Sequence, residues 1–147
     1  MRSLFIVAAA LPLLACTQQS PRTEPGVGAL PTFAQFRAAH PGNAFQAAPE
    51  RRTTVLAGVN SVTNGMSRYQ VAALLGRPDW SSALVPKEND RPFGSVWDYT
   101  LASANLDLVN ERTDQRVHIY FSPAGLVTGV AAVNLPAPST AGRPAGT

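Results

Sequence analysis

The arrangement of apolar and polar residues predicts one amphipathic helix with clear ends. Its apolar positions recur at i, i+3 and i+4 and form a single stripe: Val71, Leu74 and Leu75. Ser67 and Gln70 have the spacing of a capping box at the start of this stripe. Gly76 supplies the left-handed residue that ends a helix, and Pro78 prevents the helix from restarting. We therefore predict a helix over Arg68–Leu75.

A second pattern, with apolar residues at every other position, predicts β-strands after this helix. Two segments show it, residues 97–101 and residues 117–121, and residues 126–133 are predicted to form a third strand after them. The parity of the apolar positions changes after the first segment, and a β-bulge near Ser103 would explain the change. Residues 122–125 read Ser-Pro-Ala-Gly, which suits a tight turn. The order predicts an antiparallel meander of three strands, and the charged stretch at residues 80–94 is predicted to be a polar loop.

A weaker helical signal at residues 55–62 precedes both patterns, and it is diluted by Gly58 and by β-branched residues. Together these elements predict an α+β fold, in which two short helices pack on a three-stranded antiparallel meander sheet in the order ααβββ. We expect the folded domain to run over residues 55–135.

The N-terminal region has the pattern of an export signal. Arg2 precedes an apolar run that ends at Cys16 and is too short to span a bilayer. The residues just before the cysteine read Leu-Leu-Ala, which resembles a lipobox, the site at which a cysteine thiol takes a diacylglycerol. Residues 1–15 are thus a predicted signal peptide and Cys16 the predicted lipid attachment site. The alternative is an ordinary signal peptide followed by a chance cysteine. Thr17, rather than an aspartate, comes next, which by resemblance to the enteric sorting pattern favours the outer membrane.

The flanks of the predicted domain are rich in Pro, Gly, Ser and Thr, so they bury little apolar surface. Residues 16–54 are predicted to form a lipidated flexible tether, and residues 136–147 a disordered tail. Within the tether, Thr32 and Gln35 have capping-box spacing ahead of a short predicted helix, Phe33–Ala39.

The composition offers little material for a catalytic or metal centre. Cys16 is the only cysteine, and His40 and His118 fall in unrelated segments, so neither a disulfide nor a zinc site is predicted. The sequence contains no nucleophile elbow, P-loop or dinucleotide fingerprint. The net charge of +3 comes without basic residues interleaved with aromatic ones, which argues against nucleic-acid binding. We predict a non-enzymatic protein without metal, cofactor, small-molecule substrate or nucleic-acid partner.

Five short motifs occur in a fixed order along the predicted domain. They are Gly-Met-Ser at 65–67, Leu-Leu-Gly-Arg-Pro at 74–78, Trp-Asp-Tyr at 97–99, Val-His-Ile-Tyr-Phe at 117–121 and Gly-Leu-Val at 125–127. This ordered set, behind a lipobox, resembles the BamE (SmpA/OmlA) outer-membrane lipoprotein family over residues 55–133. The resemblance implies two helices on a three-stranded antiparallel sheet. It also implies an accessory subunit of the outer-membrane β-barrel assembly machine, anchored in the inner leaflet and in contact with other subunits and anionic lipid.

The candidate partner contacts are polar or charged residues that the predicted core does not require. They are Asp98, His118 and Tyr120 on the strands, and Lys87, Asp90 and Arg91 in the predicted loop. A solvated sheet face would show the same pattern. A second hypothesis has the chain use a β-lactamase-inhibitor-like fold to bind or inhibit a periplasmic enzyme, which would be gripped by the long segment at residues 79–96. The two hypotheses thus differ in the partner that they predict.

Overall fold

The computed structural model places three α-helices and one antiparallel sheet of five strands in the described part of the chain. The described residues are 27–42, 44–87, 91–107 and 112–135. The predicted signal peptide, Cys16, the start of the tether, Asp90 and the predicted tail lie outside them. The α+β class, with helices packed on an antiparallel meander, is confirmed.

The three helices begin and end where local hydrogen bonds allow. Helix α1 spans Phe33–Ala39, α2 spans Pro49–Gly58 with a 3-10 turn after it, and α3 spans Arg68–Leu75. Both predicted capping boxes are present, at Thr32 for α1 and at Ser67 for α3. Helix α2 starts at Pro49, six residues before the predicted start at residue 55. Proline is well suited to the first turn of a helix, because its missing N–H would have no partner there. No helix in the described ranges is long and apolar enough to cross a membrane.

The sheet is centred on one long strand. The strands are β1 Phe45–Gln46, β2 Trp80–Leu84, β3 Gly94–Ser103, β4 Gln115–Phe121 and β5 Val127–Val133. Strands β3, β4 and β5 form the predicted meander, while β1 and β2 pair with the other side of β3. The prediction of a polar loop over residues 80–94 was wrong at its start, because β2 forms a hairpin with β3 there.

The meander contains the predicted register break in β3 and the predicted tight turn between β4 and β5. The β3–β4 register shifts between Thr100 and Ala102, just before the predicted bulge. In the tight turn, the Gly125 N–H donates to the Ser122 carbonyl oxygen at 2.9 Å. Gly125 has a φ of +78°, a conformation that favours glycine. These features set which strand residues face the helices.

The main core lies between the helices and one face of the sheet. Its fully buried members include Val55 and Val71 from the helices, with Leu101, Ile119 and Phe121 from the strands. Helices α2 and α3 approach closely, since a Cβ at Gly58 would lie 2.7 Å from the Leu74 carbonyl oxygen. The glycine that weakened the helical pattern is therefore required by packing.

Residues 27–39, which we call the N-terminal arm, run from the main core, which Val27 and Leu30 contact, to the other face of the sheet. The Ser81 N–H of β2 donates to the Pro31 carbonyl oxygen at 2.9 Å, so the arm contacts the outer edge of β2. Helix α1 then packs on the sheet, with the rings of Phe33 and Trp80 5.2 Å apart in an edge-to-face arrangement. The arm thus covers part of the second face of the sheet.

Candidate functional site

The strand residues predicted to contact a partner come together on the face beneath the arm. Asp98 and His118 are register partners across β3 and β4. The His118 Nδ1 lies 2.9 Å from the Asp98 Oδ2, and the Thr100 hydroxyl donates to the Asp98 Oδ1 at 2.7 Å. Asp98 is therefore held on both carboxylate oxygens.

Two further charged residues, which sequence reasoning missed, extend this pair into a buried network. The Arg116 Nη2 lies 3.0 Å from the Asp114 Oδ2, and the Arg116 Nη1 lies 3.9 Å from the Asp98 Oδ2. The Arg116 guanidinium also sits 6.0 Å from the centre of the Phe33 ring in a cation–π geometry. The sequence did contain a signal for Arg116. Even-numbered residues of β4 lie on one face of the sheet, so Arg116 could have been placed on the same face as His118.

The three strand residues that were predicted to contact a partner differ in their solvent exposure. Asp98 has no exposed surface, whereas the His118 side chain is 21 % exposed and Tyr120 is half-buried. In this conformation a partner can reach His118 and Tyr120 directly. Asp98 can act only through His118, by fixing the orientation of the imidazole.

A second polar contact joins helix α2 to the sheet. The Arg51 Nη2 lies 2.9 Å from the Asp79 Oδ1, and the Thr100 N–H donates to the Asp79 Oδ2 at 2.7 Å. Burial raises the pKa of Asp79 above its ordinary value, although Arg51 opposes the shift. Burial also raises the pKa of the Tyr99 hydroxyl, which donates to the Gly76 carbonyl oxygen. These contacts fix α2 and the end of α3 on the sheet.

Two of the three predicted loop residues lie in the segment between β2 and β3. Lys87 and Arg91 are both exposed there, and Asp90 lies outside the described residues. They are flanked by two exposed apolar residues, Val85 at 48 % and Phe93 at 55 %. The described part of this segment therefore exposes both apolar and basic side chains.

Two more exposed apolar residues, which the sequence did not reveal, lie at the same end of the sheet. Tyr69 is 65 % exposed and Leu126 is 43 % exposed. Leu126 forms a β-bridge with Ser67, next to the start of α3. We call the set Tyr69, Val85, Phe93 and Leu126 the hairpin-end patch.

Arg68 connects the helix side of this patch to the hairpin side. Its Nη2 donates to the Ser95 hydroxyl at 2.9 Å, two residues after Phe93. Its guanidinium lies 5.5 Å from the centre of the Phe121 ring. Arg68 therefore ties the start of α3, next to Tyr69, to strands β3 and β4. Such an apolar patch beside charged groups suits protein–protein contact.

The described residues contain no group of three or more His, Cys, Asp or Glu side chains that could hold a metal ion. The partly exposed His118 and Tyr120 are the members of this polar face that a partner can contact.

Comparisons with known proteins identify the family of the chain. The family model described as the outer membrane protein assembly factor BamE domain matches residues 57–131. Among solved structures, one described as an osmotically inducible lipoprotein, OsmE, is 24 % identical, with a TM-score of 0.37, and the match covers 56 % of this chain and 78 % of that chain. No curated protein matches the chain. The family match includes α3, the β2–β3 hairpin and the Asp98–His118 pair, and the chain belongs to the BamE domain family of outer-membrane assembly factors.

Proposed function

We propose that this chain is a lipid-anchored, non-enzymatic accessory subunit of the outer-membrane β-barrel assembly machine. In this proposal the signal peptide, residues 1–15, is removed and acylated Cys16 holds the protein at the periplasmic face of the outer membrane. Membership of the BamE domain family and the lipobox pattern before Cys16 support this role. Acyl chains gain roughly 0.8 kcal/mol for each buried methylene, so two or more chains give a firm anchor.

The hairpin-end patch is the observation that carries the proposed contact with other subunits. It exposes four large apolar side chains at one end of the sheet, next to Lys87 and Arg91. Exposing this much apolar surface is unfavourable in water, and covering it with a partner releases that cost. We propose His118 and Tyr120 as secondary contacts on the neighbouring sheet face.

The N-terminal arm extends the domain that we propose. Val27 and Leu30 pack against the main core, so residues before the predicted domain start at 55 belong to the same folded unit in the described chain. We therefore propose that the domain includes the arm, helix α1 and strand β1.

Affinity purification of the full-length chain from membranes tests the partner. The wild-type protein should recover barrel-assembly proteins, and both Val85→Lys and Phe93→Lys should reduce that recovery by roughly tenfold or more, because each places a charge in the apolar contact. Val130→Lys provides the matched control, since Val130 is exposed on β5 outside the patch. Clean recovery of the wild type without barrel-assembly proteins would contradict the proposal.

Cell fractionation tests the anchor separately. Cys16→Ser removes the thiol that would be acylated, so the protein should move from the membrane fraction to the soluble periplasmic fraction. An unchanged membrane fraction would show that another segment or a partner holds the protein there.

The hairpin also supports the second candidate function, binding of a periplasmic enzyme. Residues 79–96 contain most of the β2–β3 hairpin, and its tip is the exposed element that an enzyme cleft would accept. The same purification distinguishes the two, because this function predicts recovery of a soluble enzyme whose binding is lost in Phe93→Lys.

A further inference from the structure

One cleft of the described chain lies between the N-terminal arm and the connection from α3 to β2. Residues 29–31 of the arm and helix α1 form one side of the cleft, and residues 77–79 form the other. Its volume of about 650 Å³ lies in the range of pockets that bind small ligands. The hairpin-end patch adjoins the start of α3 at Tyr69, whereas Arg77 follows the end of that helix. The cleft is therefore a separate surface, and ligand binding there does not depend on the proposed function.

Arg77 places a positive charge at the wall of this cleft. Its Nη2 donates to the Ala29 carbonyl oxygen at 2.6 Å, which ties the guanidinium to the arm. None of the ion pairs between described residues involves Arg77. The carboxylate of Asp79, which also lines the cleft, is already bound by Arg51 and by the Thr100 N–H. A guanidinium has five N–H donors in a planar fork, so donors of Arg77 remain for an anionic ligand.

The other side of the cleft adds an apolar wall and a hydrogen-bond acceptor. The apolar wall is formed by Leu30, Pro31, Phe36 and Pro78. The Nδ1 of His40 lies 2.8 Å from the Phe36 carbonyl oxygen. Because a carbonyl oxygen can only accept, Nδ1 carries the hydrogen, and the Nε2 of the neutral imidazole is an acceptor. The cleft thus combines a fork that suits a carboxylate, an apolar wall and an acceptor for an N–H group.

We infer that the cleft binds the C-terminal residue of a peptide whose last side chain is apolar. The carboxylate pairs with the fork of Arg77, the side chain packs on the apolar wall, and the amide N–H donates to the His40 Nε2. The single negative charge of a carboxylate matches the single guanidinium. A fatty acid has no such N–H, and a phosphate monoester brings additional negative charge close to Asp79. A peptide C-terminus is therefore the ligand class that uses all three features.

An NMR titration with N-acetyl-leucyl-phenylalanine tests the inference on the full-length, isotope-labelled chain, purified from membranes in detergent. The amide signals of Gln35, His40 and Arg77 should shift and saturate, with a dissociation constant on the order of 1 mM or below, while those of Tyr69 and Phe93 stay in place. The C-terminal amide of the same dipeptide enters detergent at least as readily but lacks the carboxylate, so it should bind roughly tenfold more weakly. Octanoate, which lacks the N–H, should also bind more weakly. The absence of a saturable shift, or equal binding of either control compound, overturns the inference.

Two matched pairs of variants locate the site. Arg77→Gln keeps a donor for the Ala29 carbonyl oxygen but removes the charge, so it should raise the dissociation constant by roughly tenfold or more, whereas Arg52→Gln, outside the cleft on α2, should not. Ala39→Phe fills the cleft and should abolish the shifts, whereas Ala38→Phe, on the same helix but outside the cleft lining, should leave them. Binding that is unaffected by Arg77→Gln or by Ala39→Phe contradicts the inference. Recovery of barrel-assembly proteins with Ala39→Phe tests the proposed function separately, because this variant leaves the hairpin-end patch intact.

Discussion

The two faces of the sheet are stabilised by different kinds of contact. Helices α2 and α3 pack on one face through apolar side chains, of which Val55, Val71 and Leu75 are fully buried. The N-terminal arm covers part of the other face with two phenylalanines, and the network of Asp98, Arg116 and His118 lies on that face. Apolar burial stabilises wherever it occurs, whereas buried ion pairs stabilise only while every partner is in place. The arm side of the sheet should therefore respond more sharply to the loss of a single polar group.

Removal of Asp98 gives the largest expected effect on the arm side. Asp98→Ala should lower the free energy of unfolding by about 3 kcal/mol, because it leaves the buried Arg116 and the neighbouring His118 without their shared carboxylate. Ile119→Ala on the helix side should cost a similar amount, about 2–5 kcal/mol, through lost burial and a cavity. Denaturant unfolding measures both free energies.

The two tryptophans show whether the effect of each change is confined to one face. Trp80 contacts the arm and Trp97 lies in the main core, so Trp97→Phe and Trp80→Phe backgrounds give one fluorescent reporter for each face. Asp98→Ala should shift the emission of Trp80 more than that of Trp97, and Ile119→Ala should do the reverse. Equal shifts of both reporters in both variants would show that the two faces do not differ.

The two capping boxes provide a smaller and closely matched comparison. In each box the backbone N–H of the glutamine donates to the capping hydroxyl at 3.3 Å, and the glutamine Oε1 accepts from the capping N–H at 2.8 Å. Thr32→Ala and Ser67→Ala should each cost about 1 kcal/mol at their own helix. Because α3 is part of the main core, Ser67→Ala should lower the global free energy of unfolding.

The arm should instead lose stability locally. Thr32→Ala should speed amide hydrogen exchange in α1 while the slowest-exchanging amides of β4 stay unchanged, because the arm can open without global unfolding. If Thr32→Ala and Ser67→Ala changed exchange in β4 equally, the arm would be part of the same cooperative unit as the core.

The sequence predicted the parts of the fold that depend on neighbouring residues. The ends of α1 and α3 follow from side chains three positions apart, and the turn at Gly125 follows from four consecutive residues. Strand β2 was missed because Trp-Ser-Ser-Ala-Leu alternates weakly, and it becomes a strand only through pairing with β3 and cover from the arm. Long-range pairing of this kind leaves little trace in a local pattern.

The structure brings two of the candidate contact residues together, and their role in binding stays a prediction. One parity along the strands places Asp98 and His118 on the same face as register partners. The burial of Asp98 depends on the tertiary fold, so in the sequence it resembled an exposed residue. Phe93 and Tyr69 resembled ordinary apolar residues, because no pattern around them shows that the fold leaves them uncovered. The hairpin-end patch therefore became visible only in the structure.

Asp79 offers the smallest and most specific test of how charge is buried at the junction of α2 and the sheet. Burial raises its pKa, so the ionised carboxylate is less favourable in the folded protein than in the unfolded chain. The folded state then binds more protons than the unfolded state as the pH falls towards the raised pKa. This contribution to stability is fully present below the unfolded pKa and is lost as the pH rises through the folded pKa.

Asp79→Asn isolates this contribution, because the amide oxygen can still accept from the Thr100 N–H but the side chain no longer titrates. The difference in free energy of unfolding between the wild type and Asp79→Asn, measured in urea from neutral pH down to pH values near 4, should move in favour of the wild type as the pH falls. The carboxyl groups far from Asp79 titrate in both proteins, so their contributions cancel in the difference. A difference that moved in favour of the variant would mean that the Arg51 ion pair outweighs burial, and this junction would then resemble the charged network beneath the arm.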